Sequence, residues 1–355
     1  MLSSEPNSNQ TLRIIDASLN RAAEGLRFLE DVARFILNDT VLTEQLKTIR
    51  HALVTSDWPF QNKLIQSRDS EGDVGANLKT TSSDIGKTKD LPLAIVANSR
   101  RVQEALRTLE ELAKVSGDTL PLSADKLQQD RFALYTIEKN LITRLLRQDK
   151  SKRIKGLYGI VDIQALQGRN HLDMGRQIIK GGASIIQLRD KSAERKKLLV
   201  IAQELKDLCV ASNVLFIVND HLDVALAIGS DGLHVGQEDM PVSIVRKLAP
   251  MDMLVGCSVS APEQAQKAVA DGADYVAVGA IFETSTKEVT TVGLERLRLV
   301  REAVSVPVIA IGGINAENAA RVKRAGANSI AVISAILGAE SPETAAGEII
   351  KNFEG

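Results

Sequence analysis

The chain has no excess of either charge. Across 355 residues, 44 lysines and arginines stand against 45 aspartates and glutamates, a formal net charge of −1. Bulk attraction to a polyanion such as DNA, or to an anionic membrane surface, is not its means of binding, so any anion site must be local. Cysteine is nearly absent. Cys209 and Cys257 lie far apart in apolar runs, which reads as two buried free thiols in a reducing cytosol and not as a disulfide framework. No apolar run reaches the length of a membrane span. The opening MLSSEPNSNQ is polar and lacks the apolar core of a secretory signal. A cytoplasmic protein with neither membrane nor nucleic-acid partners is expected. A G-x-x-x-x-G-K-[ST] phosphate loop is also missing.

The length suits two domains, and two halves with different patterns are present. From about 151 to 355, short apolar runs alternate with amphipathic helical stretches. The runs are GLYGIVD (156–162), SIIQLRD (184–190), VLFIVND (214–220), GLHVG (232–236), LVGCSV (254–259), YVAVGAI (275–281), PVIAIGGI (307–314) and SIAVISAI (329–336). Continuous apolar strands belong to a parallel sheet covered on both faces. Eight evenly spaced βα units predict a closed (β/α)8 TIM barrel, with an open doubly wound sheet as the alternative.

Residues 1–150 show helical periodicity, as in Leu19, Ala22, Ala23, Leu26, Leu29, Val32, Ala33 and Ile36. This half is read as an all-α helical domain preceding the barrel, with the boundary near 150. It holds an internal repeat: RAAEGLRFLEDVA (21–33) matches RVQEALRTLEELA (101–113), eighty residues on. A duplication of this kind predicts two equivalent helices, related by a pseudo-twofold axis. The repeat places Arg21, Glu24, Arg27 and Glu30 in one copy against Arg101, Glu104, Arg107 and Glu110 in the other. Steps of three on a helix give ion pairs on a solvated face. Retention of the polar positions also fits a phosphate site or a symmetric interface, and the sequence leaves these readings open. The polar stretch 68–84 between the copies is read as an exposed loop, with Asp73, Gly75 and Asn77 as further candidates.

In a (β/α)8 barrel the active site lies at the C-terminal ends of the strands. There the sequence turns polar. The second strand ends in Gln187, Arg189 and Lys191, whose alternation puts all three on the inward face. With Lys287 they bring cations to one mouth, suited to a diphosphate. Asp220 and Asp239, from neighbouring strands, are candidate ligands for a hard divalent cation, Mg2+. The competing reading is a rim network in which these aspartates merely pair with Arg189 and Lys191. Gly312-Gly313 after the seventh strand and Ile333-Ser334 after the eighth stand where such barrels commonly bind a monophosphate, or else form tight turns with no ligand. His234, inside the fourth strand, is read as a satisfied structural histidine; no other His or Cys offers metal spacing.

The motifs QLRDK, IVND, GLHVGQED, G-x-S, T-x-T-K, IGGI and ISAI, in this order over about 155–352, resemble those of thiamine-phosphate synthases. That family joins hydroxymethylpyrimidine diphosphate to thiazole phosphate and releases diphosphate, after a dissociative departure of the leaving group. The resemblance implies that Gln187, Arg189, Lys191, Asn219 and Lys287 bind the pyrimidine diphosphate. It implies that Asp220 and Asp239 hold Mg2+, and that Ser258 lies beside the reacting centre. Arg189, Ser258 and Lys287 are thus the catalytic candidates. Thr284, Thr286, Gly313, Ile333 and Ser334 would hold the thiazole phosphate. Ala280 and Glu283 stand where many members carry proline, so a more mobile loop is expected there. A related thiazole tautomerase shares the barrel but has His in place of Ser258; an inactive phosphate-binding barrel is the other rival. The N-terminal half resembles a helical extension fused to some synthases and linked to phosphorylation of hydroxymethylpyrimidine phosphate. A helical module that only mediates homo-oligomerisation is the alternative.

Overall fold

The computed structural model describes residues 8–53, 57–69, 71–72, 90–116, 120–192, 194–284 and 291–355. The chain divides into two compact units, Met1–Leu146 and Arg147–Gly355.

The first unit is helical: α1 (Ser8–Asp31), a π-helical turn (Val32–Ile36), α2 (Thr40–Leu53), α3 (Trp58–Gln66), α4 (Leu91–Ser116) and α5 (Ala124–Lys152). Helix α5 continues through position 150 into the second unit. The repeated segments lie on α1 and α4, which pack directly on one another. Their apolar stripes, Ala22, Leu26 and Leu29 in one and Val102, Leu106 and Leu109 in the other, are buried in a common core. The duplicated glutamates have equivalent partners. Glu30 is buried and receives a hydrogen bond from Arg50 on α2 at 2.8 Å; Glu110 is buried and receives one from Arg131 on α5 at 3.0 Å. The start of each partner helix is also capped alike, by Asp39 onto the Leu42 N–H and by Ser123 onto the Lys126 N–H. The repeat therefore extends beyond its sequence signature to two helix pairs.

The hydrogen bond from Lys114, aided by Arg131 and Arg107 and opposed by burial, holds the Glu110 carboxyl down to about 2. A folded-state value below the unfolded one stabilises the fold above pH 4.5, and that contribution is lost as pH falls toward 2. Glu110→Ala is expected to lower stability by about 2–3 kcal/mol at pH 7, because Arg131 is left in a mostly buried position without its anion. Chemical unfolding of the variant at pH 7 and pH 3 checks this: the gap between variant and wild type should narrow at the lower pH.

The second unit is a closed parallel barrel in chain order. Its strands are β1 (Gly156–Asp162), β2 (Ala183–Arg189), β3 (Leu215–Asn219), β4 (Gly232–Val235), β5 (Leu254–Val259), β6 (Tyr275–Val278), β7 (Val308–Ile311) and β8 (Ser329–Val332). Helices α6 (His171–Lys180), α7 (Arg195–Ala211), α8 (Leu222–Ile228), α9 (Val242–Leu248), α10 (Pro262–Ala270), α11 (Gly293–Ala303), α12 (Ala319–Arg324), α13 (Ser334–Leu337) and α14 (Pro342–Glu354) cover it. The period-two alternation divides the strands into two layers. Leu157, Ile186, Phe216, Leu233, Val255, Val276 and Val308 face the helices. Tyr158, Ile160, Ile185, Leu215, Ile217, Leu254, Tyr275, Ile309 and Ala331 fill the lumen. With both faces apolar, each strand reads as an unbroken hydrophobic run.

One pairing decides how the lumen is filled. Gly256 on β5 lies in register with Tyr275 on β6. A Cβ at Gly256 would fall 2.0 Å from the Tyr275 ring. Only glycine leaves room for that ring to lean across β5.

Candidate functional site

A cavity of about 590 Å³ opens at the C-terminal ends of the strands. Its wall brings together Gln187, Arg189, Lys191, Asn219, Asp220, Asp239, Ser258, Thr284, Gly313, Ile333 and Ser334, drawn from β2–β5 and the loops after β6, β7 and β8. Thr286 and Lys287 lie outside the described residues, as do Asp73, Gly75 and Asn77.

Arg189 does not pair with Asp220 or Asp239. Its guanidinium is bound to Asp162, the buried carboxylate at the end of β1. Asp162 also accepts the N–H groups of Gln164 and Ala165 at 3.1 and 3.2 Å, so it is fixed before Arg189 reaches it. The sequence shows Asp162 only as a polar strand end; the register Asp162↔Arg189 supplies its partner. Lys191 lies 3.8 Å from Asp220 and is half exposed. One charge is therefore held rigidly and the other loosely.

Asp220 stands immediately after β3 with φ of 61°. Its carboxyl neighbours that of Asp239, and each shifts the other's titration. Burial, then the adjacent Asp239, push Asp220 up to about 6. Asp239 is held below its usual range: burial opposes this, but Asp220 and the Gly236 N–H, at 2.8 Å, outweigh it. Two carboxylates this close share one proton below about pH 6 and repel one another above it. Such an all-oxygen pair beside a cation-lined wall fits a hard divalent ion, which would take the place of the shared proton. Among the described residues, no cluster of three or more His, Cys, Asp or Glu side chains accompanies them.

On the opposite wall, Gly312 and Gly313 have φ of 100° and 64°. A Cβ at Gly313 would lie 2.3 Å from the Glu283 carbonyl oxygen and 2.7 Å from Phe282 Cβ. If an anionic substrate seats on this turn, Gly313→Ala should raise its KM by about tenfold or more, on the order of the 1–3 kcal/mol of backbone strain it introduces. Steady-state kinetics with each substrate varied in turn checks the selectivity of the effect.

The structural role expected for His234 holds in that both ring nitrogens are bonded, but the ring is also part of the cavity wall. Nε2 lies 2.9 Å from Ser258 Oγ and Nδ1 lies 3.3 Å from the Tyr275 hydroxyl. Burial pulls its pKa down to about 4, so it is neutral at physiological pH. Tyr158 and Tyr275 are cavity residues that sequence reasoning misses; within their strands they look like ordinary core aromatics.

The free cysteines are not part of this chemistry. Both are buried, and burial pushes Cys209 up to about 12 and Cys257 up to about 11. Neither is a thiolate at neutral pH.

These motifs and this cavity have close relatives. A family model described as thiamine monophosphate synthase matches residues 157–336. A curated thiamine-phosphate synthase from Synechocystis sp. is 37% identical over 339 residues, covering 95% of each chain. The chain belongs to the thiamine-phosphate synthase family. Another such synthase, from Nostoc punctiforme, is 38% identical over 93% of this chain and 90% of its own. A solved thiamine phosphate pyrophosphorylase from Pyrococcus furiosus is 39% identical, with a TM-score of 0.53, over 57% of this chain and 97% of its own. Residues 13–140 match a second family model, described as the ThiD2 family, which agrees with the helical extension inferred from sequence. The enzyme is therefore a transferase acting on small molecules, and no helix among the described residues is long and apolar enough to cross a membrane.

In the N-terminal unit the six candidates separate. Arg21, Glu24 and Arg27 on α1, and Arg101, Glu104 and Arg107 on α4, are all exposed. Arg27 and Arg107 each reach toward the buried glutamate three residues on, at 3.8 and 2.9 Å. Arg101 donates to Asn98 at 2.9 Å. Glu104 and Arg107 line an open groove with Arg100, Gln103, Arg131 and Tyr135. At the matching positions in α1, Ala23 and Phe28 are apolar where α4 has Gln103 and Thr108, and Asn20 lacks the charge of Arg100.

Proposed function

We propose that the barrel binds hydroxymethylpyrimidine diphosphate against Gln187, Arg189, Lys191 and Asn219, with Lys287 completing the cationic wall. Thiazole phosphate sits against Thr284, Thr286, Gly313, Ile333 and Ser334. The observation that carries this reading is that a rigid cation, a carboxylate pair and a glycine turn share one cavity wide enough for two small phosphorylated molecules. Asp220 and Asp239 would hold Mg2+, which supplies positive charge to the departing diphosphate.

The chain's own groups do the remaining work. Arg189, steadied by Asp162, grips the diphosphate with its planar fork. Charge builds on the diphosphate as the bond from the pyrimidine methylene carbon to oxygen breaks, and the electron pair leaves with oxygen. Fixed cations favour that state over the ground state. The thiazole nitrogen then donates its lone pair to the pyrimidine cation, closing the new carbon–nitrogen bond. No side chain is needed as a nucleophile. The enzyme works in a reducing cytosol, in keeping with two buried free thiols.

The test is diphosphate release by the full-length protein with hydroxymethylpyrimidine diphosphate and Mg2+, with and without thiazole phosphate. Release that depends on the thiazole and is lost in Asp220→Ala supports the reading. Release that ignores the thiazole defeats it.

The helical unit is assigned phosphorylation of hydroxymethylpyrimidine phosphate, supported by the arginine-lined groove on α4 and α5. ATP-dependent formation of the diphosphate by the full chain, impaired in Arg107→Ala, is the expected result. A change in oligomeric state with no kinase activity would instead favour an assembly role.

A further inference from the structure

A continuous hydrogen-bond chain crosses the barrel lumen and joins Gln187 to Ser258. Gln187 Nε2 is 2.8 Å from the Tyr158 hydroxyl. That hydroxyl is 3.1 Å from the Tyr275 hydroxyl. Tyr275 is 3.3 Å from His234 Nδ1, and His234 Nε2 is 2.9 Å from Ser258 Oγ. The four inner members, Gln187, Tyr158, Tyr275 and His234, are all buried. The His234 ring is also stacked on Tyr275, with centroids 5.6 Å apart and 25° between planes.

Each member is neutral. Burial raises both tyrosines above their ordinary pKa and lowers that of His234. A neutral imidazole has one N–H and one acceptor nitrogen, and each hydroxyl has one proton. The four links can be made in four ways, but only two of them also use both buried tyrosine protons. In the first, the Gln187 amide donates to Tyr158, Tyr158 to Tyr275, and Tyr275 to Nδ1. Then Nε2–H donates to Ser258 Oγ, and the Ser258 proton is free to point into the cavity. In the second, every donor is reversed. Tyr158 donates to the Gln187 oxygen, the histidine carries its proton on Nδ1, and Ser258 spends its proton on Nε2. In the two intermediate arrangements one tyrosine oxygen accepts from both neighbours, which leaves its own proton a desolvated donor without a partner.

We infer that Tyr158, Tyr275 and His234 are positioning residues that couple recognition at Gln187 to the hydrogen-bonding sense of Ser258. An aminopyrimidine ligand offering an N–H to the Gln187 oxygen selects the first arrangement and turns Ser258 into a donor toward the reacting centre. This inference rests on the substrate reading above. It also accounts for the two tyrosine hydroxyls, whose hydrogen bonds all run to other members of the chain. Removing either hydroxyl leaves the cavity shape intact but cuts the chain.

The histidine reports the state directly, because its two tautomers differ in their 1H–15N two-bond spectra. With only four histidines in the chain, the His234 signals are identified by their loss in His234→Gln. Adding hydroxymethylpyrimidine diphosphate to the full-length protein, without thiazole, should move His234 toward the Nε2–H tautomer. The expected change in tautomer ratio is about tenfold, the worth of one net hydrogen bond. Tyr158→Phe should bind the ligand but leave the tautomer where it was. A second variant needs no ligand: in Gln187→Glu, at a pH where its infrared carboxylate band shows it ionised, the side chain only accepts, so His234 should rest as the Nδ1–H form. An Nε2–H form in that variant overturns the inference. So does a wild-type tautomer that stays fixed when calorimetry on the same sample shows binding; that result leaves the substrate reading standing. Absence of binding overturns both.

Discussion

Arg189→Ala is expected to lower kcat/KM for diphosphate release by about three orders of magnitude, with a smaller loss of fold stability. In the proposed function the guanidinium would give the leaving group charge-assisted hydrogen bonds, each worth roughly 1.5–3 kcal/mol. Losing two of them is about 4 kcal/mol of transition-state stabilisation, or about a thousandfold. The fold should lose about 1–3 kcal/mol, because buried Asp162 is left without its cation and with only its bonds from the Gln164 and Ala165 backbone. Arg189→Lys restores the charge but not the fork, so it should recover only part of the loss. Kinetics and thermal melts on the three proteins decide the matter. A loss of less than about tenfold in the alanine variant would remove Arg189 from the chemistry and leave it as a rim ion pair with Asp162.

Asp220→Asn should do two opposite things. It should abolish turnover, and it should stabilise the metal-free protein at neutral pH. The carboxyl is raised to about 6 in the fold, above its unfolded value of 3.8. A raised value means the stability linked to its proton is complete below about pH 4 and is lost as pH climbs through 6. Asparagine mimics the protonated carboxyl at every pH and removes the repulsion from Asp239. The gain should therefore be absent near pH 4 and reach about 1–2 kcal/mol at pH 8, allowing for solvent screening of a partly exposed group. Asparagine also accepts the φ of 61° at this position, which alanine would not do without strain. In the wild type, Mg2+ should raise the melting temperature at about pH 8 and have little effect at about pH 4, where protons compete for the same oxygens. The variant should show no such response. Retention of a wild-type Mg2+ response would place the metal elsewhere.

The barrel was legible because every strand is apolar on both faces, so a run such as VLFIV needs no long-range information to be placed. The cavity wall was legible for a related reason: Gln187, Arg189 and Lys191 break that apolar rule at alternate positions, and all three line the cavity. The partner of Arg189 was hidden, since Asp162 becomes its neighbour only through the pairing of β1 with β2. Tyr158 and Tyr275 were hidden more deeply. Their hydroxyls meet only after closure sets β1 across the lumen from β6, and nothing local separates them from packing aromatics. In the helical unit the repeat was plain, but the reason for its glutamates was not. Arg50 and Arg131 lie on the following helices, outside the repeated segment, so the burial of Glu30 and Glu110 could not be read from the motif. Other charges kept in both copies, such as Arg21 and Glu24, remain exposed, and the differing residues Ala23 against Gln103 and Phe28 against Thr108 show that the two copies have since diverged.

The clearance between Gly256 and the Tyr275 ring has a consequence for how this sequence can drift. A methyl group at 256 evicts the ring, and a smaller residue at 275 leaves a void against β5 and strands the His234 ring without its stacking partner. Neither position can change first without loss. Across any lineage that descends from this chain, the two should be inherited as one character, changing together or not at all, even though one of them has no side chain.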